Sequence, residues 1–240
     1  MPMGFWVVSL ISQVAIVPLV AAWLRRSAAA STASAVRLML VLFAWQGTVI
    51  ALGSAGVFAP RPGASPAIGL AVVLPIVAGV VALRRWDRGL PEASLATLMG
   101  LQVMRIVGFE FVVAGRGGLL PLVFAAPAGW GDAFIGVTAP LVALAVARRS
   151  AGWRTIAIAW NVLGIADLVD AVFLGITSSP GALRLFDGPL STEPMTRLPL
   201  SLIPTFGVPL AVLGHIAALR ALRAMAARRT PAPATLPAAG

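Results

Sequence analysis

Residues Ala67 to Leu83 read AIGLAVVLPIVAGVVAL, and Arg84 and Arg85 follow at once. The stretch is uncharged and long enough to matter. A helix needs roughly 20 mostly apolar residues to cross about 30 Å of hydrocarbon, where lipid offers the backbone no hydrogen-bond partner. Working outward, six more stretches have the same character: Gly4 to Leu24, Val36 to Ala59, Pro91 to Val113, Gly131 to Ala147, Trp153 to Ile176 and Leu198 to Leu219. The whole chain agrees, with 59% apolar residues, 11% charged residues and a mean hydropathy of +0.95, outside the balance of soluble domains. The fold class read from this is all-α: a polytopic membrane protein of seven transmembrane helices, with one membrane domain over residues 1–223. The Pro91 to Val113 stretch is the least apolar. A short run from Leu119 to Ala126 reads as a re-entrant or interfacial helix, so six and eight spans stay open as alternatives.

Basic residues test the topology, because cytoplasmic loops collect positive charge. All eighteen are arginines. The connections after spans one, three and five hold Arg25, Arg26, Arg37, Arg84, Arg85, Arg88, Arg148, Arg149 and Arg154, and the C-terminal region adds four more, making 13. Opposite them are Arg61, Arg116, Arg184 and Arg197, which make 4. The expectation is an N-terminus outside and a C-terminus inside, in the bacterial cytoplasmic (inner) membrane. Arg105 is left over, inside span four. No basic stretch precedes the first apolar run, so span one reads as retained and not as a removed leader. Residues 224–240, rich in Pro and Ala beyond Arg229, read as a disordered cytoplasmic tail. The formal charge of +10 therefore belongs to the lipid surface and not to nucleic acid.

An internal repeat relates the two ends. Pro18-Leu19-Val20-Ala21 before Arg25-Arg26-Ser27-Ala28 matches Pro140-Leu141-Val142-Ala143 before Arg148-Arg149-Ser150-Ala151. Ala44-Trp45-Gln46 matches Ala159-Trp160-Asn161, and Pro75 and Pro209 each precede an Ala-Leu-Arg at the helix end. Spans one to three and five to seven then form parallel units, with span four as the inverting link, a 3+1+3 plan. That layout resembles SWEET-type sugar transporters, vitamin transporters of the nicotinamide riboside class, and microbial rhodopsins, in topology alone. In repeat-built transporters the site tends to lie near the midplane, where Pro or Gly interrupts helices.

Ionisable groups in hydrocarbon are costly and usually face the bundle interior in pairs. At about 1.5 Å per residue, Arg105 and Asp167 fall at the same depth. Asp170 lies one turn beyond, and Glu110 and Asp132 fall near the outer surface. An uncharged layer of Gln46, Asn161 and His215 falls lower, across an apolar gap. Trp45 and Trp160, beside the amides, are candidates to line a pocket, whereas Trp6, Trp23, Trp86, Trp130 and Trp153 read as interface anchors. Candidate ligand-binding residues are thus Arg105, Glu110, Asp132, Trp45, Gln46, Trp160, Asn161 and His215. Each has a structural alternative: the charged pair fixing helix register, and the amides bonding between helices.

Absences narrow the field. Without lysine no retinal Schiff base forms, so rhodopsin photochemistry is excluded and no cofactor is expected. One histidine and no cysteine leave no structural zinc site, no bis-histidine haem within one chain and no thiol chemistry. No phosphate-binding loop motif is present.

Gln102 to Glu110, the Gly129 to Asp132 turn, Trp160-Asn161 with Gly164, and Met195 to His215 with its Leu-Ile-Pro-Thr-Phe-Gly-Val-Pro core make the last 140 or so residues resemble a widespread family of small bacterial membrane proteins. The resemblance implies Arg105, Glu110, Asp132, Asn161 and His215 as recurring polar positions, without a role. Asp167 and Asp170 fall outside that pattern, which points to Glu110 or Asp132 as the partner of Arg105. Two functional classes follow. One is a transporter or binding protein for a small polar or anionic solute. The other is an intramembrane enzyme on a lipophilic, isoprenoid-like substrate, with Glu110, Asp132, Asp167 or Asp170 as acid. A third reading is a subunit or assembly factor of a membrane complex. The expected partners are the lipid bilayer and a small molecule; an oligomer is compatible with all three.

Overall fold

The computed structural model describes residues 1–26, 32–59, 67–85 and 92–227, and among them every regular element is helical. The helices are α1 (Met3–Arg26), α2 (Thr32–Ser54), α3 (Ala67–Arg85), α4 (Glu92–Leu101), α5 (Glu110–Arg116), α6 (Leu122–Ala147), α7 (Trp153–Thr177) and α8 (Val208–Ala227). A 3₁₀ helix, Gln102–Phe109, joins α4 to α5, so these three pieces make one span. Seven described segments are long and apolar enough to cross a membrane: Met3–Val20, Val36–Ser54, Ala67–Arg84, Leu95–Arg116, Leu122–Ala147, Trp153–Thr177 and Ile203–Ala227. They point to an integral, multi-pass membrane protein. The tail assigned to 224–240 lies outside the described residues from 228 onward; before it, α8 continues as helix to Ala227.

Helix α6 is the axis of the packing. It contacts α4, the 3₁₀ segment, α5 and α7, while α8 closes the group against α4 and α7. Its buried face runs Ala125, Ala128, Gly129, Asp132, Ile135, Gly136, Ala139, Val142 and Val146, the three-and-four spacing of one helical side. Small residues on that face let backbones approach, which is how helices hold together where lipid removes the hydrophobic drive. At Gly136 the approach is closest, since a Cβ there would stand 2.6 Å from the backbone nitrogen of Ile106. The run Leu119 to Ala126 is not a separate element: Pro121 takes an extended conformation (φ −66°, ψ 133°) and α6 starts at Leu122 without a break at Pro127.

The first three helices are more peripheral. α1 pairs with α2, and α3 rests on α8, with no buried residue in its membrane-length window. Gly79 admits Leu213 of α8, and the Arg220 Nη2 donates to the Leu83 carbonyl at 3.1 Å, so this arginine also caps a neighbouring helix. Span seven opens with a π-helical turn, Ile203–Gly207, carrying Pro204 and followed by Pro209. The segment 178–202 folds over the end of the bundle where α1 begins. There Arg184 donates to the carbonyls of Phe186, Gly188 and Leu190 and stitches the loop upon itself.

Candidate functional site

The 3₁₀ segment explains how span four presents its polar groups. With about three residues per turn, positions three apart eclipse each other, whereas in an α-helix they drift round the axis. Gln102, Arg105 and Gly108 are the buried residues of this segment, so one straight stripe faces the bundle interior. Runs longer than three or four residues are uncommon in 3₁₀ form, and mid-helix examples mark hinges or strain; this one has 8.

Arg105 is 4% exposed and reaches three helices. Its Nε donates to Asp132 Oδ1 on α6 at 2.6 Å. Its Nη1 donates to the Gly164 carbonyl on α7 at 3.0 Å and lies 3.3 Å from His215 Nε2 on α8. Its Nη2 is paired with Asp167 Oδ2 on α7. Neighbouring amides settle the histidine tautomer. Asn161 Nδ2 donates to the Ala157 carbonyl at 2.7 Å, which can only accept, so Asn161 Oδ1 is the atom 2.8 Å from His215 Nδ1. Nδ1 therefore carries the proton, and Nε2 receives a hydrogen from the guanidinium. Trp160 packs edge-on against His215, with ring centres 5.5 Å apart, and its Nε1 donates to Thr138 Oγ1 at 2.9 Å.

Three glycines make this crowding feasible. A Cβ at Gly108 would strike the Asp132 carboxylate, one at Gly131 the Asp167 carboxylate, and one at Gly164 the His215 imidazole. Each partner of Arg105 thus sits against a backbone with no side chain in its way. With His215 neutral and both aspartates ionised, one guanidinium faces two carboxylates and the cluster has a formal charge of −1. Asp132 is the more enclosed, its side chain 9% exposed against 15% for Asp167.

The remaining predicted residues lie elsewhere. Glu110 does not reach Arg105; its two oxygens accept from Ser9 Oγ at 2.5 Å and Ser12 Oγ at 2.6 Å on α1. Asp170 is exposed and makes no hydrogen bond or ion pair among the described residues. Gln46 Nε2 donates to the Gln13 carbonyl at 3.0 Å, and Trp45 packs on Phe206 with ring centres 4.7 Å apart. The structure does not bring Trp45 and Gln46 to Trp160 and Asn161.

Three expectations are corrected by this geometry. The charged and uncharged layers are not separated by an apolar gap, because His215 touches Arg105 with one ring nitrogen and Asn161 with the other. Counting 1.5 Å per residue ignored both the greater 3₁₀ rise and the length of an arginine side chain. Asp132 is not near a helix end in a turn; α6 begins ten residues earlier at Leu122, so Asp132 is deep within it. Asp167 does pair with Arg105, together with Asp132, and Glu110 is not a partner. Sequence reading also passed over Ser9, Ser12, Gln13, Gln102 and Thr138. Hydroxyls at 9 and 12 in an otherwise apolar span, three apart and therefore on one helix face, were a signal for a buried partner.

A cleft of about 570 Å³ lies at the end of the bundle where α1 begins, lined by Trp6, Leu119, Leu190, Glu193, Arg197 and Pro199. Arg197 Nη2 donates to Glu193 Oε1 at 2.8 Å there. No grouping of three or more His, Asp or Glu side chains suited to a metal ion occurs among the described residues.

A protein-family profile described as "Domain of unknown function (DUF8737)" matches residues 62–223, about two thirds of the chain. No curated protein and no solved structure matches the sequence.

Proposed function

The chain belongs to the DUF8737 family, and for it we propose a transport role in the bacterial cytoplasmic membrane: proton-linked movement of a small anionic solute past Arg105, with the N-terminus outside and the 3+1+3 repeat as the frame. The observation that carries this reading is the guanidinium gripped from three helices with one carboxylate in excess. Intramembrane ion pairs that join separate helices mark ion and substrate pathways. A net charge of −1 repels an anion while both aspartates are ionised. A proton on Asp167, the less enclosed partner, neutralises that carboxylate and loosens its hold on Nη2. The freed Nη2 then donates to the solute's carboxylate or phosphate in the place that Asp167 leaves. Release of the solute and of the proton on the other side returns Asp167 to Nη2, so charge and protons balance over the cycle. Asp132 and His215 are the other titratable groups in contact with Arg105, and Asp170 stands exposed one turn along α7 from Asp167.

Purified full-length protein in liposomes tests the reading. With a panel of small carboxylates and inorganic phosphate, at least one solute should drive proton uptake in step with its own entry. Asp167→Asn should retain solute exchange between preloaded vesicles and lose the solute-driven proton flux. No solute-dependent flux across the panel, or an unchanged proton flux in Asp167→Asn, would overturn the proposal. A stoichiometric partner protein carried through purification would favour the role of complex subunit instead.

A further inference from the structure

Glu110 stands outside the Arg105 exchange, and no cation pairs with it among the described residues. It lies within span four, and its partners are two hydroxyls of α1 in place of a guanidinium. A guanidinium can only donate, whereas a hydroxyl donates one hydrogen and also accepts. Asp132 and Asp167 are therefore held in a way that suits the ionised form, and Glu110 in a way that also suits the acid.

The hydrogens can be counted. Ser9 Oγ lies 2.5 Å from Glu110 Oε2, Ser12 Oγ lies 2.6 Å from Glu110 Oε1, and Ser12 Oγ also lies 2.8 Å from the Ser9 carbonyl. With Glu110 ionised, only the two hydroxyl hydrogens serve these three approaches. Oε1 and the Ser9 carbonyl, both acceptors, then compete for the single hydrogen of Ser12, and one approach is left as facing lone pairs. A proton on Oε1 removes the conflict. Oε1–H donates to Ser12 Oγ, the Ser12 hydroxyl turns to the Ser9 carbonyl, and the Ser9 hydroxyl donates to Oε2. Desolvation acts in the same direction, because a carboxylate without a cation is costly in hydrocarbon and a hydrogen-bonded neutral acid is not. Ser9 is 0% exposed, so its hydroxyl has no water to turn to instead.

A proton can reach the group. Glu110 is only part-buried, and the exposed Arg116 lies roughly 9 Å farther along α5 at about 1.5 Å per residue. Trp6, one turn before Ser9 on α1, lines the cleft at the end of the bundle. The charged and titratable groups on the surrounding elements are Arg105 and Arg116 on the same span, Asp132 on α6, the amino group of Met1, whose side chain lies against Gly117, and Glu193 and Arg197 at the cleft. Helix α1 has no charged side chain before Arg25.

We infer that Glu110, with Ser9 and Ser12, is a second proton-binding site, which holds a proton at neutral pH and ties α1 to span four through it. The proton comes from water and is carried on Oε1. Its release returns both hydroxyls to the carboxylate and takes the Ser12 hydrogen from the Ser9 carbonyl. The site is independent of the Arg105 exchange, and its failure leaves the proton-linked reading untouched.

Infrared spectroscopy of the full-length protein in liposomes at about pH 7 tests this, because an ordinary glutamate, with a pKa of about 4.3, is ionised there and the C=O stretch of a protonated carboxyl stands apart from carboxylate bands. A protonated-carboxyl band should be present, should shift in D₂O, and should be lost in Glu110→Gln while persisting in Asp167→Asn. Ser9→Ala should move it to higher frequency, since Oε2 then loses its donor. Glu110→Gln should also unfold at the parent's temperature in detergent: its amide nitrogen donates to Ser12 Oγ and its carbonyl accepts from Ser9, as the neutral acid does. The inference is overturned by the absence of the band, or by a band that Glu110→Gln and Ser9→Ala both leave unchanged. A clear loss of stability in Glu110→Gln also overturns it, because that is what an ionised glutamate with two donors predicts.

Discussion

Arg105 and its two aspartates lend themselves to a charge-by-charge prediction. Replace Asp132 with Asn: the Nε hydrogen bond at 2.6 Å keeps an acceptor, and Arg105 retains Asp167, so the cluster becomes one-to-one. The loss is the difference between a charge-assisted and a neutral hydrogen bond, about 1–2 kcal/mol. Replace Arg105 with Gln instead, and two carboxylates lose their cation in the middle of the bundle. Removing one partner of a buried pair costs about 3–5 kcal/mol, and here two anions are stranded. That is on the order of the whole stability of a typical domain. Arg105→Gln should therefore express poorly or unfold at low temperature, whereas Asp132→Asn should purify normally. Adding Asp132→Asn and Asp167→Asn to Arg105→Gln should restore most of the loss, since it returns the cluster to neutrality. The assay is thermal unfolding in detergent with monodispersity by size exclusion, run on the two single variants and the triple. The reasoning is refuted if Arg105→Gln is as stable as Asp132→Asn, or if the triple variant is no better than Arg105→Gln.

Three further outcomes follow from the geometry. Gly136→Val puts a branched side chain where even a Cβ would stand 2.6 Å from the Ile106 nitrogen, and should cost about 2–3 kcal/mol or prevent folding, measured in the same unfolding assay. Ser9→Ala with Ser12→Ala removes both donors to Glu110 and should cost about 2–4 kcal/mol; Glu110→Gln in that background should recover part of it, and a silent double variant would show that α1 does not depend on this contact. Trp160→Phe deletes one donor and keeps the aromatic edge on His215, so a loss of about 1 kcal/mol is expected; a loss above about 3 kcal/mol would mean that the indole does more than bond Thr138.

The spans were readable because length and hydropathy are properties of a stretch and need no knowledge of neighbours. Arg105 was readable as exceptional for the same reason: a guanidinium 4% exposed inside an apolar run needs partners. Which partners was harder. Depth counting found Asp167 and misplaced Asp132, because Pro127, Gly129 and Gly131 look like a turn in sequence, while in a bundle proline near a helix start is tolerated and glycine provides close approach. The join between Arg105 and His215 was not visible at all. It depends on a 3₁₀ register that Gln102, Arg105 and Gly108 share with any i, i+3 pattern on an α-helix, so only the packed backbone distinguishes the two.

The Gln102–Phe109 segment is also a stored turn of a screw. Per residue, a 3₁₀ helix advances about 0.5 Å farther and rotates about 20° more than an α-helix. Over its 8 residues, rewinding to α geometry draws α4 and α5 together by about 4 Å and twists one against the other by about 160°. Arg105 stands midway along that thread. The ion pairs to α6 and α7 are therefore matched to the 3₁₀ register: in α geometry the same guanidinium would point away from Asp132 and Asp167.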